Sequence, residues 1–273
     1  MTLVFVLGKP AHRSPVIAEA IEQLRARGEA VRVVVPKAAA DDDAWRVGDD
    51  VRPVRADLGD ATLIAQRGLD PAVLRRLQPW ADRCCNDPFA TALTHRRVDL
   101  LRTLRGAGIP VPDFDVEPDY RAARSAGRVI KALDARSGRG AGVLLPGSAP
   151  AAPPFPGPYL VQEYAEGSEL KAYVFGASVR TAWRGGRGGG AAPVGGSEPP
   201  GRTAGPESPH ADLVRAAATA VGLELCGVDL LVTERGPVVI DVNAFPSATR
   251  IRSAADLIAA HLHVAARRCR APW

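Results

Sequence analysis

The sequence predicts an α/β protein whose C-terminal part has α+β character, and three patterns carry that prediction. Leu3 to Leu7 is a short apolar run, a helical segment follows, and Val31 to Val35 is a second apolar run. That strand–helix–strand order implies parallel strands joined by a crossover helix. From Arg128 onward, strand-like runs replace helical periodicity until a helix near Ala211. Near the end, Cys226 to Val232 and Pro237 to Asn243 flank Glu234-Arg235-Gly236, the pattern of a hairpin with Gly in the left-handed position.

The elements follow in order. Ser14 as N-cap and Pro15 at the first helical position open a helix with Val16, Ile17, Ala20, Ile21 and Leu24 on one face, and Gly28 stops it. Asp41 to Asp43 and the polar stretch to about Asp60 read as a loop. Leu63 to Ala65 reads as a strand, and Asp70-Pro71 starts a short helix reaching Trp80. A new unit begins near Asn86. Arg97 to Gly106 is helical, with Val98, Leu101 and Leu104 on one side, and Gly108-Ile-Pro-Val-Pro112 turns the chain into extended structure. Val129 to Leu133 is a strand, Ser137 to Gly142 a glycine loop, Val143 to Leu145 a second strand, and 146–157 a Pro/Ala/Gly linker. Tyr159 to Glu163, Leu170 to Phe175 and Val179 to Trp183 are further strands. The Gly- and Pro-rich segment 185–209 is expected to be mobile. Helices at Ala211 to Val221 and near Ala254 to Arg267 bracket the hairpin. Three units result: 1–85, 86–165 and 166–273.

Composition narrows the function. The 273 residues are 46% hydrophobic and 24% charged, the balance of a chain that buries a core. No run approaches the roughly 18 uncharged apolar residues of a membrane span, and the start lacks the basic region of a signal peptide. Cys84, Cys85, Cys226 and Cys269 form no C-x-x-C pair and have no His at metal spacing, so a reducing cytoplasm without a zinc site is expected. The net charge of +5 comes from scattered Arg with acids interleaved. Aromatics are only 5%, too few for a base-stacking surface. Small anions, rather than nucleic acid, are the expected partners.

The hairpin places chemistry. If the three-residue turn pairs Thr233 with Pro237, Asp229 faces Asp241, and Asn243, two residues on, shares that face. Directly opposed residues have Cβ atoms roughly 4.5–5.5 Å apart. Two carboxylates that close destabilise a sheet unless a cation joins them, and hard oxygen donors suit Mg²⁺. An outward polar face on an amphipathic hairpin is the alternative on geometry alone.

Asp229, followed by Ile240-Asp-Val-Asn-Ala-Phe-Pro-Ser247, resembles the metal-binding end of ATP-grasp enzymes, closest to RimK-type ligases and inositol trisphosphate 5/6-kinases. The resemblance runs in order from about Asn86 to Arg250. It takes in G-I-P-V-P, V-I-K-A, S-G-R-G-A-G-V, Y-L-V-Q-E-Y, G-S-E-L-K-A-Y-V-F-G and V-G-L-E-L-C-G-V-D-L-L. It implies two ATP-grasp subdomains with antiparallel sheets after the parallel layer, and ATP with two Mg²⁺ (Mn²⁺ as a substitute) on Asp229, Asp241 and Asn243. It further implies that Lys131 binds phosphates and that Gly138, Gly140 and Gly142 close over the triphosphate. Gln162, Glu163, Tyr164 and Ala165 would form the adenine hinge, with Glu163 or Glu169 near the ribose. Lys171 and Arg184 match basic positions facing phosphate or acyl phosphate. Arg96-Arg97 stands where relatives often have Asp-Lys, and Arg97 could still meet a phosphate.

The loop Gly8 to Arg13 lies between the first strand and the first helix, where backbone N–H groups favour an anion. Lys9, His12 and Arg13 supply cations there. The resemblance puts this loop on the substrate side, and Ser247, Arg250 and Arg252 just past the metal motif adjoin it. His95, His210, His261 and His263 have no assigned partner, and the last two are expected to decorate a helix. The activity implied is a carboxylate–amine ligase acting through an acyl phosphate on a small anionic substrate. A kinase with a hydroxyl acceptor and a non-catalytic nucleotide-binding protein are the alternatives, and a homodimer is left open.

Overall fold

The computed structural model describes residues 1–134, 142–183 and 210–269. The chain opens as predicted. β1 (Thr2–Leu7), α1 (Pro15–Ala26) and β2 (Ala30–Val34) form the parallel unit, and β6 (Leu63–Arg67) adds a third parallel strand, in the order β2-β1-β6. Alternate residues of β1 bury on opposite faces. Leu3, Phe5 and Leu7 pack with Ile17, Ile21 and Leu24 of α1, whereas Val4 and Val6 pack with Trp45, Leu58 and Leu77. Ser14 sits at the N-cap of α1, yet its side chain makes no capping hydrogen bond.

The stretch expected to be a loop up to Asp60 is not one. After β3 (Pro36–Ala38) come β4 (Ala44–Val47), β5 (Asp50–Pro53) and the short helix α2 (Val54–Leu58), and β3, β4 and β5 pair antiparallel. Trp45 organises them. Its side chain is fully buried against the parallel sheet, and its indole N–H donates to Asp57 at 2.7 Å. Asp57 also takes the Arg52 guanidinium at 2.8 Å. One aromatic anchor among many polar residues outweighs the local loop signal.

α3 (Pro71–Leu77) is capped by the Asp70 carboxylate on Ala72 N, and gives way to a 3-10 turn at Gln78–Arg83. α4 (Pro88–Leu93) and α5 (Arg97–Gly106) follow. α5 buries Leu100, Leu101 and Leu104, with Val98 only partly covered. β7 (Phe114–Glu117), α6 (Tyr120–Ser125), β8 (Val129–Ala132), β9 (Val143–Leu144) and β10 (Tyr159–Gln162) build an antiparallel sheet ordered β7-β10-β8-β9. The segment read as a linker is packed here. Phe155 is buried beside Tyr159, and the Tyr120 hydroxyl donates to Pro150 O at 2.8 Å.

β11 (Ser168–Phe175), β12 (Ser178–Trp183), α7 (Ala211–Val221), β13 (Leu225–Thr233), β14 (Gly236–Ala244) and α8 (Ala254–Arg268) complete the chain. Their sheet is ordered β12-β11-β13-β14 and antiparallel throughout. α5 and α7 cover one of its faces. At one end of the other, α8 packs between this sheet and the parallel one, so Phe5, Phe175, Leu225 and Ile258 share one core. The first and third predicted units are therefore joined by a common interior. Asn86 pins the join, its side chain accepting from the Glu224 and Leu225 amides and donating to Leu225 O.

His261 does not decorate its helix. It is buried, with Nε2 at 3.4 Å from both Cys85 Sγ and Glu224 Oε2, and His263 Nδ1 lies 2.7 Å from Glu29. The four cysteines are free, and Cys85 and Cys226 are buried. Among the described residues no helix is long and apolar enough to cross a membrane.

Candidate active site

One row of side chains crosses the C-terminal sheet. Lys171 on β11 pairs with Asp229 on β13, which pairs with Asp241 on β14. The Lys171 ammonium, itself buried, is ion-paired with Asp229 Oδ1. In the next row Tyr173, Gly227 and Asn243 align, and Asn243 Nδ2 donates to Asp241 Oδ2 at 3.4 Å. Space is tight at Gly227. A Cβ there would meet Lys171 Cε at 3.0 Å and Pro246 Cγ at 3.2 Å. The predicted carboxylate pair is thus present, with a lysine added to it.

The register that achieves this is not the predicted one. Thr233 pairs with Gly236, not Pro237, leaving a two-residue turn, Glu234-Arg235. Thr233 Oγ1 closes it, accepting from Arg235 N at 3.1 Å and donating to Gly236 O at 2.8 Å. The ladder then runs one residue out of step until a bulge between Asp229 and Leu230 leaves Ile240 unpaired and restores Asp229 opposite Asp241. The bulge also sets which way the acid faces. Val239 and Val242 both lie in the apolar core under α5 and α7. Without the extra residue Asp241 would share the face of Val239. A bulge that re-aims a side chain beside a site is a recurrent use of this device.

Lys131 approaches from the other sheet. Its Nζ lies 3.5 Å from the carbonyl of the bulged Ile240. Burial lowers its pKa to about 8, with Asp241 the largest opposing influence. Burial likewise raises the Asp241 carboxyl, and the Asp229 charge adds to the rise. Two unit charges about 5 Å apart repel by about 3 kcal/mol at an effective dielectric constant of about 20. The acids therefore persist because cations face them. The pair and an amide also fit an ion that completes its shell with phosphate and water oxygens. Among the described residues no cage of three or more His, Cys, Asp or Glu exists that would suit a metal held by protein alone.

The other predicted residues divide. Arg97 NH1 donates to Ala132 O at 2.9 Å and Gly142 O at 3.4 Å, at the base of the glycine loop. Gln162 is buried, shares the Lys131 side of its sheet by register, and among the described residues has no hydrogen-bond partner for Nε2. Glu163 is occupied by Arg235, whose NH2 donates at 2.7 Å, while Tyr164 is exposed. Glu163 and Ala165 line a cavity of about 230 Å³ with Pro112, Thr233, Arg235 and Val238. Glu169 lies two positions before Lys171 on β11, on the same face. Gly138, Gly140, Arg184 and the segment 185–209 lie outside the described residues.

Lys9, His12 and Arg13 are exposed on the loop and 3-10 turn after β1. Ser247 is exposed, and Arg250 NH1 donates to Trp183 O at 3.2 Å. Sequence reasoning missed Arg67. This residue ends β6 beside Leu7, and its Nε donates to Phe245 O at 3.2 Å, tying the parallel sheet to the turn after Asn243. Phe245 and Ala248 in that turn hold positive φ of 40° and 48°, backbone strain of the kind found at functional turns.

The family model for the RimK-like ATP-grasp domain matches residues 208–264. A relative named "Probable alpha-L-glutamate ligase", of Thioalkalivibrio sulfidiphilus, is 31% identical over 214 residues, covering 68% of this chain and 67% of the relative. The RimK domain ATP-grasp protein of Sphaerobacter thermophilus has the same fold, with a TM-score of 0.68, 19% identity, and 96% and 99% of the two chains covered. So does the ATP-grasp ligase PsnB, solved with a minimal precursor, Mg and ADP, with a TM-score of 0.62, 19% identity, and 97% and 98% covered. The architecture of two antiparallel sheets that meet where Lys131 reaches Ile240 and the similarity over two thirds of the chain agree: this chain belongs to the RimK-like family of ATP-grasp ligases.

Proposed function

We propose that the protein is an ATP- and Mg²⁺-dependent carboxylate–amine ligase working through an acyl phosphate. The carrying observation is the Lys171–Asp229–Asp241 row with Lys131 facing it from the opposite sheet. In this reading the acid's carboxylate oxygen attacks the γ-phosphorus of ATP and ADP leaves. An amine then attacks the acyl carbon, phosphate leaves, and the nitrogen sheds a proton. No protein nucleophile is needed, so the chain's work is positioning and charge neutralisation. Asp229, Asp241 and Asn243 would hold two Mg²⁺ ions, which supply charge neutralisation at the phosphates. Lys131 and Lys171 would contribute fixed positive charge on the two sides of the cleft, and Arg184 and the glycine loop would add to it. Gln162 to Ala165, with Glu169, would receive the nucleoside. Arg97 would act by bracing the loop's base.

Lys9, His12, Arg13, Ser247 and Arg250 support an anionic substrate, and the named relative makes L-glutamate the first compound to try, as acid or as amine. A reducing cytoplasmic setting is part of this reading, on four cysteines without a C-x-x-C pair. The test is a screen of acids and amines with ADP and phosphate measured in parallel. The ligase reading expects both products only when acid and amine are supplied together. ADP without free phosphate, in the presence of an alcohol, would instead establish a kinase.

A further inference from the structure

The parallel sheet carries a second feature of the site. From β1 the chain passes through α1 to β2 on one side, and reaches β6 on the other side after α2. α1, which follows β1, packs on one face of the sheet, and α3, which follows β6, packs on the other. The carboxyl ends of β1 and β6 are therefore a topological switch point, where the two following segments diverge and leave a crevice. Leu7 and Arg67 pair at that point, and Gly8 N donates to Arg67 O at 2.9 Å. Gly8 passes so close to Gly68 that a Cβ would lie 1.8 Å from the Gly68 carbonyl oxygen, so no side chain can stand between the two strand ends.

Arg67 is half-buried there, and burial alone lowers its pKa. Among the described residues its guanidinium makes one hydrogen bond, from Nε to Phe245 O, and no ion pair. A guanidinium taken partly out of water without a carboxylate costs stability unless an anion completes it. With Nε committed, the two terminal nitrogens present the paired donors that match a carboxylate's two oxygens. The anchoring carbonyl belongs to the turn two residues beyond Asn243, so a carboxylate held on that fork borders the nucleotide cleft. Lys9, His12 and Arg13, being exposed, can draw an anion in but cannot orient it.

We propose that Arg67 is the residue that grips the carboxylate of the acid substrate, at the switch point between β1 and β6. This rests on the ligase reading for what happens next, but the grip itself is a binding claim. The test is titration calorimetry on the full chain with Mg²⁺ and AMPPNP, using L-glutamate and glutarate as probes. Arg67→Gln keeps a donor for the Phe245 carbonyl and removes the charged fork. It should weaken carboxylate binding at least about 30-fold, while AMPPNP affinity stays within about twofold. Arg67→Lys, which keeps the charge without the fork, should fall between the two. Equal carboxylate affinity in wild type and Arg67→Gln, or no binding of either probe to wild type, would overturn the proposal. Carboxylate binding that depends on Arg67 but releases no phosphate with any amine would uphold the grip and sink the ligase reading.

Discussion

The two faces of the C-terminal sheet are built from alternating residues of the same strands and obey opposite rules. On one face Val228, Leu230, Val239 and Val242 are fully buried under α5 and α7. There, close packing of apolar groups supplies stability. On the other face Lys171, Asp229, Asp241 and Asn243 stand in two adjacent rows, and burial pushes the Asp241 carboxyl up rather than stabilising it. The difference teaches where function is stored. The charged face is sustained by the apolar one behind it, and a bulge at Ile240 decides which residues go to which. Substitutions on the two faces should therefore separate activity from stability.

The largest expected effect is on the charged face. Asp241→Asn should lower turnover by at least about 10³ and leave the melting temperature of the ligand-free protein unchanged or higher. The sign follows from linkage. A raised folded-state pKa means the fold favours the protonated form, so the ionised carboxylate costs stability at neutral pH, and the amide removes that cost. Assay and thermal melt together check it. The mirror experiment is Val239→Ala on the apolar face. It should destabilise by about 2 kcal/mol in denaturant unfolding and leave kcat/KM within about threefold well below the melting point.

Gly227→Ala probes the boundary between the faces. The added methyl presses on Lys171 Cε and Pro246 Cγ, so turnover should fall about tenfold with only a small change in melting. The smallest effect is in pH. Lys131, held near 8, is charged below that pH and neutral above it, and phosphate favours the charged form. ATP affinity measured by calorimetry should be flat below pH 8 and decline by up to about tenfold per unit above it. Lys131→Met should bind ATP more weakly and without that slope.

Much of this was legible beforehand because its signals are local. The βαβ opening, α5, α7, α8 and the opposition of Asp229 to Asp241 follow from periodicity, caps and a hairpin turn. That last success hid two compensating departures, a turn one residue shorter and a bulge one residue longer. Neither has a signature in the sequence, because bulge placement is chosen by which side chains the core accepts. The Trp45 hairpin escaped notice because one anchor sits among polar residues. Phe155 was lost in a Pro/Ala/Gly run for the same reason. Arg67 ends a strand as an ordinary polar residue would, and only the strand order, a non-local fact, brings it to the turn after Asn243. His261 was misread because helix periodicity does not reveal that two sheets close over α8.

The central claim is that Asp229, Asp241 and Asn243 hold the metal ions of a bound nucleotide. The direct measurement is the number of Mn²⁺ ions bound per chain with AMPPNP present, counted by paramagnetic resonance in wild type and in Asp241→Asn. The account predicts two ions in the wild type and loss of at least one in the variant, with AMPPNP still able to bind at higher concentration. The same ion count and affinity in both proteins would contradict it.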